Sequence, residues 1–212
     1  MNTNIGIIDY GMGNLHSVQQ SFKRLDQSIR IVKSPNDVHE CNALILPGVG
    51  SFDPAMENLR RTDLIPKIKS WVKDGKPLLG ICLGLQLIFE SSEEGNSEGL
   101  GLLKGKVCNL PRNTKERIPH MGWSLLKQIK ECPLLDNENT SRWMYFVHSY
   151  SAIPSPEDLA ATVSFGDSEV TAIVWKDSLG ACQFHPEKSG KSGQRLLSSW
   201  LKWLHEKNSD LS

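Results

Sequence analysis

The chain has 212 residues, equal numbers of basic and acidic side chains (24 and 24) and 39% hydrophobic residues. That length suits one domain, read as spanning 1–212, with a core large enough to need no metal or disulfide staples. Zero net charge argues against a nucleic-acid binder. No apolar run nears the ~18 residues of a membrane span. A neutral surface has little colloidal protection, which suits a chain that keeps a partner on part of its surface.

In chain order, Asn4–Asp9 reads as a short strand ending in a glycine-rich turn. Asn14 then caps a helix with Leu15, Val18, Phe22 and Leu25 on one face. Ser28–Val32 alternates like a strand, and Ala43–Leu46 is a continuous apolar strand stopped by Pro47. Met56–Val72 is helical with a break at Thr62 or Pro66. Lys76–Ile81 is a buried strand, followed at once by a helix from Leu83 to Phe89. Strands alternating with helices predict an α/β fold, a flavodoxin-like parallel sheet flanked by helices.

The second half changes character. Gly95, Gly99, Gly101 and Gly105 mark loops and turns. Strand-like pieces follow at Gly105–Val107, Trp143–Val147, Leu159–Phe165 and Val170–Trp175, predicting an antiparallel β extension. Leu179–Phe184 is a last strand, running into His185. Arg195–His205 closes the chain as a helix with Leu196, Leu197, Trp200, Leu201 and Leu204 on one stripe.

The cysteines, Cys41, Cys82, Cys108, Cys132 and Cys182, are odd in number and show no Cys-x-x-Cys spacing. With a start unlike a signal peptide, they predict free thiols in a reducing, cytoplasmic compartment. Four of them read as small core residues.

Cys82 does not. In Gly80-Ile81-Cys82-Leu83-Gly84 a thiol stands on a tight strand-to-helix turn with glycines two positions away on both sides, where neighbours crowd. Five cysteines and 17 glycines would produce about 0.03 such matches by chance at this composition. The helix that follows adds backbone N–H groups for an oxyanion and a positive end that favours a thiolate. Phe184-His185-Pro186-Glu187 supplies an imidazole with a carboxylate two residues away. Cys82, His185 and Glu187 thus offer nucleophile, base and orienting acid. His16, His39, His120, His148 and His205 read as ordinary core or surface residues. His-x-Glu also occurs in zinc deaminases, but their downstream Pro-Cys-x-x-Cys is missing, so no metal is assigned. Pro47-Gly48-Val49-Gly50 can turn an N–H toward a reacting carbonyl, pairing with the N–H of Leu83. Gly11-Met12-Gly13-Asn14-Leu15-His16 has His where a dinucleotide fingerprint needs Gly or Ala, and Gly190-Lys191-Ser192 lacks the earlier glycine of a phosphate loop. No nucleotide cofactor is expected.

Gly80-Ile81-Cys82-Leu83-Gly84-Leu85-Gln86 together with Phe184–Glu187 resembles the class I, triad-type glutamine amidotransferases. Four more segments (Asp9–Asn14, Leu46–Gly50, His120–Trp123 and Tyr145–Tyr150) are similar to the glutaminase subunits of imidazole glycerol phosphate synthases. The resemblance covers essentially the whole chain. It implies hydrolysis of glutamine to glutamate and ammonia through a Cys82 thioester, without a cofactor. His185 and Glu187 complete the triad, and Leu83 with Gly48, Val49 and Gly50 stabilises the oxyanion. By the same resemblance Gln86, Ser149 and Tyr150 bind glutamine. Asn14, Met121, Trp123 and Lys188 line an interface with a separate (β/α)8 cyclase subunit, in a heterodimer that receives the ammonia. The Gly48–Gly50 loop would switch activity on when the cyclase binds its nucleotide. By itself Trp123 reads equally as a core aromatic. Two other readings stand beside this one: a different Cys-His-Glu hydrolase acting on esters or peptides, and a non-catalytic subunit that has kept the fold.

Overall fold

The computed structural model describes residues 3–112, 116–136 and 142–209. Its main sheet has eight strands. Five run parallel: β1 (Ile5–Ile8), β2 (Ile29–Val32), β3 (Ala43–Gly48), β4 (Leu78–Cys82) and β13 (Leu179–Cys182), in the order β2-β1-β3-β4-β13. This is the flavodoxin-like order. β12 (Ser168–Lys176), β11 (Leu159–Phe165) and β8 (Lys127–Gln128) extend it antiparallel.

Strand alternation divides the core into two layers. Ile5, Ile7, Ile45, Leu79 and Ile81 face α1 (Leu15–Lys23) and α5 (Gly190–Ser209). Ile8, Leu44, Leu46 and Leu78 face α2 (Phe52–Arg61), α3 (Leu64–Lys73) and α4 (Leu83–Leu87). Asn14 caps α1 as expected, its side chain accepting the Ser17 N–H at 3.3 Å. No helix among the described residues is long and apolar enough to cross a membrane.

Several expected boundaries move, each for a physical reason. β3 does not stop at Pro47. Beyond Ile45 it has left β1 and pairs with β4 alone through Gly48, so the missing proline N–H breaks no ladder there. The helical region starts at Phe52 rather than Met56, and the break falls at Thr62–Asp63, where Asp63 turns left-handed at φ 57°. Pro54 and Pro66 both lie in first turns, which need no N–H there. α4 ends at Leu87, not Phe89, while α5 begins at Gly190, not Arg195. β13 ends at Cys182, before Phe184.

The antiparallel extension is also split. β6 (Gly105–Asn109) pairs antiparallel with β10 (Tyr150–Pro154) and parallel with β5 (Ser91–Ser92) in a three-stranded sheet. β9 (Trp143–His148) pairs with β7 (His120–Leu125), absent from the expected strands, in a separate antiparallel ribbon. The ribbon buries His120, His148, Met144 and Phe146 and exposes Met121, Trp123, Leu125 and Trp143.

Candidate active site

β4 and β13 are neighbours, with Ile81 opposite Cys182. Their carboxyl ends therefore place Cys82 and His185 side by side. Cys82 ends β4 and precedes α4 at φ 55°, ψ −110°, a conformation costing a non-glycine residue about 1–3 kcal/mol. The glycines around it have specific tasks. A Cβ on Gly84 would lie 1.8 Å from the Leu46 carbonyl oxygen, and one on Gly80 would lie 2.9 Å from Ala181 Cβ and 3.0 Å from the Gly84 carbonyl. The turn is tight because α4 packs directly on β3.

His185 lines the same cleft as Cys82, and its Nδ1 donates to Glu187 Oε1 at 2.8 Å. The His185 and Glu187 side chains are 3% and 2% exposed. Burial opposes charging His185, but its hydrogen bonds to Cys82 and Glu187 and their charges outweigh that, raising its pKa to about 10. The backbone of His185 is locked as well. Its N–H donates to the Tyr145 carbonyl at 3.0 Å, and its carbonyl accepts from Ser189 Oγ at 2.6 Å. That hydroxyl oxygen accepts the Tyr145 N–H at 3.0 Å.

A cleft of about 390 Å3 opens above the thiol. Val49 and Gly50 form one wall, Leu83 and Gln86 the floor, and Ser149 and Tyr150 the far side. Gly48 sits behind the wall, where a Cβ would meet Tyr10 Oη at 2.5 Å. Tyr10 in turn donates to the Pro47 carbonyl at 2.8 Å, and burial first, then Cys82, raises its pKa. The Val49 N–H is engaged by the Met12 carbonyl at 3.0 Å, and Gly50 adopts φ 98°. Gln86 donates to the Tyr150 carbonyl at 3.3 Å and to Gln183 Oε1 at 3.2 Å.

Thus the structure gathers Val49, Gly50, Leu83, Gln86, Ser149 and Tyr150 around the thiol, while Gly48 lies outside the cleft lining. The four expected interface residues lie outside the cleft. Met121 and Trp123 are 62% and 52% exposed, so Trp123 is not a core aromatic. Lys188 is exposed, and Asn14 is half-buried. Cys41, Cys132 and Cys182 are buried and Cys108 is half-buried, all unpaired.

Three participants escaped the sequence. Gln183 is fully buried and bridges Gln86 to Cys82, its Nε2 lying 4.0 Å from the sulfur. Tyr10 supports the Gly48 wall. His148 lines the cleft although it reads as an ordinary histidine. Gln183 carries no signal beyond lying two residues before His185, while Tyr10 and His148 fall inside the segments Asp9–Asn14 and Tyr145–Tyr150 without a chemistry-based pattern that singles them out.

The family model for glutamine amidotransferase class-I matches residues 6–202. The chain belongs to this family. This class-I glutamine amidotransferase is 66% identical over 209 residues to the imidazole glycerol phosphate synthase subunit HisH of one Prochlorococcus marinus strain, covering 98% of each chain. It is 57% identical to the protein of the same name in Synechococcus sp. (strain CC9605), covering 96% of each. Among solved structures it resembles PurLQS from Thermotoga maritima, at TM-score 0.77 and 18% identity, over 96% of this chain and 100% of that one. A putative GMP synthase component from Thermoplasma acidophilum superimposes at TM-score 0.74 and 18% identity, over 100% and 98%. At such identities these last two speak for the shared amidotransferase fold.

Proposed function

We propose that this amidotransferase, acting as one domain over 1–212, is the glutaminase subunit of an imidazole glycerol phosphate synthase in histidine biosynthesis. The observation that carries the reading is that Cys82 and His185 line one cleft, with Glu187 Oε1 holding His185 Nδ1 at 2.8 Å. Its relatives' names supply the synthase.

In this reading a protonated His185 stabilises the Cys82 thiolate, which attacks the glutamine side-chain carbonyl carbon. The carbonyl electron pair moves to oxygen, where the Leu83 N–H and one N–H of the Gly48–Gly50 loop receive it. The carbon–nitrogen bond breaks as His185 delivers a proton, leaving ammonia and a γ-glutamyl thioester. Water, losing a proton to His185, then cleaves the carbon–sulfur bond and regenerates the thiolate. Glu187 keeps the His185 Nδ1 proton in place throughout. Gln86 and the Ser149–Tyr150 backbone hold the substrate's amino-acid end. No cofactor is needed.

The ammonia passes to a (β/α)8 cyclase subunit docked as a heterodimer over Asn14, Met121, Trp123 and Lys188. Support comes from the exposed apolar face of the β7–β9 ribbon, a surface that water alone covers poorly. There the ammonia joins an aminoimidazole carboxamide ribonucleotide intermediate to yield imidazole glycerol phosphate and aminoimidazole carboxamide ribotide. Five unpaired thiols fit a reducing, cytoplasmic setting. The Val49 N–H held by Met12 fits a wall that must reorient before it serves an oxyanion, so the cyclase with its nucleotide would switch the glutaminase on.

The test is Cys82→Ala in the reconstituted heterodimer. Glutamine-dependent synthesis is expected to vanish while synthesis from ammonium salts persists. Loss of both activities, or of neither, overturns the reading. The isolated chain should hydrolyse glutamine far more slowly than the nucleotide-loaded complex; equal rates overturn the switch.

A further inference from the structure

Under the ribbon lies a polar chain that the triad chemistry does not use. His148 Nδ1 lies 2.8 Å from the Tyr150 carbonyl, which can only accept, so Nδ1 carries the proton. In the neutral ring Nε2 is then an acceptor, and His120 Nδ1 donates to it at 3.0 Å. His120 Nε2, left as an acceptor, takes the Ser124 hydroxyl at 2.9 Å. Both rings are buried, 8% and 6% exposed, and His120 stacks on Phe146 at 5.0 Å with 16° between planes. Burial first disfavours the charged form of each. Every donor therefore points the same way, from β7 toward the cleft, and ends on one carbonyl.

That carbonyl is shared. Gln86 Nε2 reaches it at 3.3 Å from the other side. Two buried phenyl rings would fill this space as well as two imidazoles, without a polar group to satisfy. What imidazoles add is direction: they hold one peptide in one orientation. The peptide held is Tyr150–Ser151, which fixes Tyr150 at the end of the Ser149–Tyr150 segment that lines the cleft.

We propose that His120 and His148 are positioning residues for glutamine binding: a neutral imidazole pair that orients the Ser149–Tyr150 backbone from the ribbon side, as Gln86 does from the α4 side. His120 and Ser124 alternate along β7 with the exposed Met121 and Trp123, so the same strand that presents the outer face carries the anchor. The proposal rests on the glutaminase reading above.

The test compares the wild-type heterodimer with His120→Phe, His148→Phe and His148→Asn. His120→Phe keeps a ring against Phe146 but removes the donor to His148. His148→Asn keeps an amide N–H able to reach the Tyr150 carbonyl. Both Phe variants are expected to raise the KM for glutamine about 10-fold, with kcat and ammonium-dependent synthesis within about 3-fold of wild type. His148→Asn is expected to return KM to within about 3-fold. An unchanged KM in His120→Phe, a loss confined to kcat, or a His148→Asn variant no better than His148→Phe overturns the proposal. If His148→Phe does not fold, His120→Phe and His148→Asn still decide. Glutamine-dependent turnover that persists in a Cys82→Ala complex would instead mark failure of the glutaminase reading, so the two failures are distinguishable.

Discussion

Cys82 occupies a left-handed conformation that β-carbon sterics disfavour, and it does so between a strand and a helix that both hold firm. Strain of this kind persists only where surrounding packing over-determines it, and here it aims a sulfur at an imidazole. The histidines divide by environment. His185 gains a thiol and a carboxylate partner and its pKa rises to about 10, while burial first, then the neighbouring His120 and His185, push His148 down to about 4, from an ordinary 6.5. The signs give opposite pH dependences. His148 contributes stability that is present above pH 6.5 and is lost as pH falls toward 4, because the unfolded chain binds the proton first. The loss is roughly 3 kcal/mol when complete. His185 contributes stability present below pH 6.5 and lost as pH rises through about 10. Urea unfolding across pH should therefore show a histidine contribution greatest near 6.5. In His148→Phe the acid limb should flatten; an unchanged limb would assign it to other groups.

At the scale of elements, the β4–α4 connection is the most constrained part of the chain. Gly84 meets the backbone of β3, not a side chain that could rotate away, so Gly84→Ala must push α4 off the sheet. The expected cost is at least ~1–3 kcal/mol from overpacking, together with loss of glutamine-dependent activity as the cleft floor shifts. Denaturant unfolding with parallel activity assays checks both; a stable and active Gly84→Ala protein would mean that α4 approaches β3 less closely than the 1.8 Å clash requires. Gly75, exposed to open space at φ 70°, makes a useful contrast, since a substitution there meets a conformational cost but no steric one. The same constraint explains why the motif was readable. Local crowding leaves a local mark, and glycine two residues to each side of a cysteine is that mark. The ribbon left no such mark. β7 contains Gly122 at φ 141° and alternates two polar residues with exposed apolar ones, the reverse of a half-buried strand. Its inner row is satisfied only by the partner strand, so periodicity could not find it.

At the scale of the whole molecule, sheet order makes the site. β13 inserts next to β4 late in the chain and brings His185 to Cys82, while β3 on the other side delivers the Gly48–Gly50 wall. Three loops from three adjacent parallel strands thus meet at one carboxyl edge, the customary place for ligands in an open α/β sheet. The ribbon closes the site from above and turns an apolar outer face away from it. Met121→Ala with Trp123→Ala should leave the isolated chain's stability within about 0.5 kcal/mol, since both side chains are largely exposed. Their removal should weaken cyclase binding by about 2 kcal/mol or more, roughly 30-fold, if they anchor the interface. Titration calorimetry of the two subunits measures this directly; unchanged affinity would move the interface to another face.

The sequence by itself determined the parallel α/β core, the family, and the glycine-flanked Cys82 and the His185–Glu187 pair as the candidate site. These depend on contacts within a few residues, or on an alternation of strand and helix that leaves few topologies open. The tertiary structure alone decided the rest. It set the detached β7–β9 ribbon, the bridging Gln183 and the His120–His148 pair. Each of these follows from cross-strand register or from packing between segments distant in sequence, and such contacts leave no periodicity in the residues that make them.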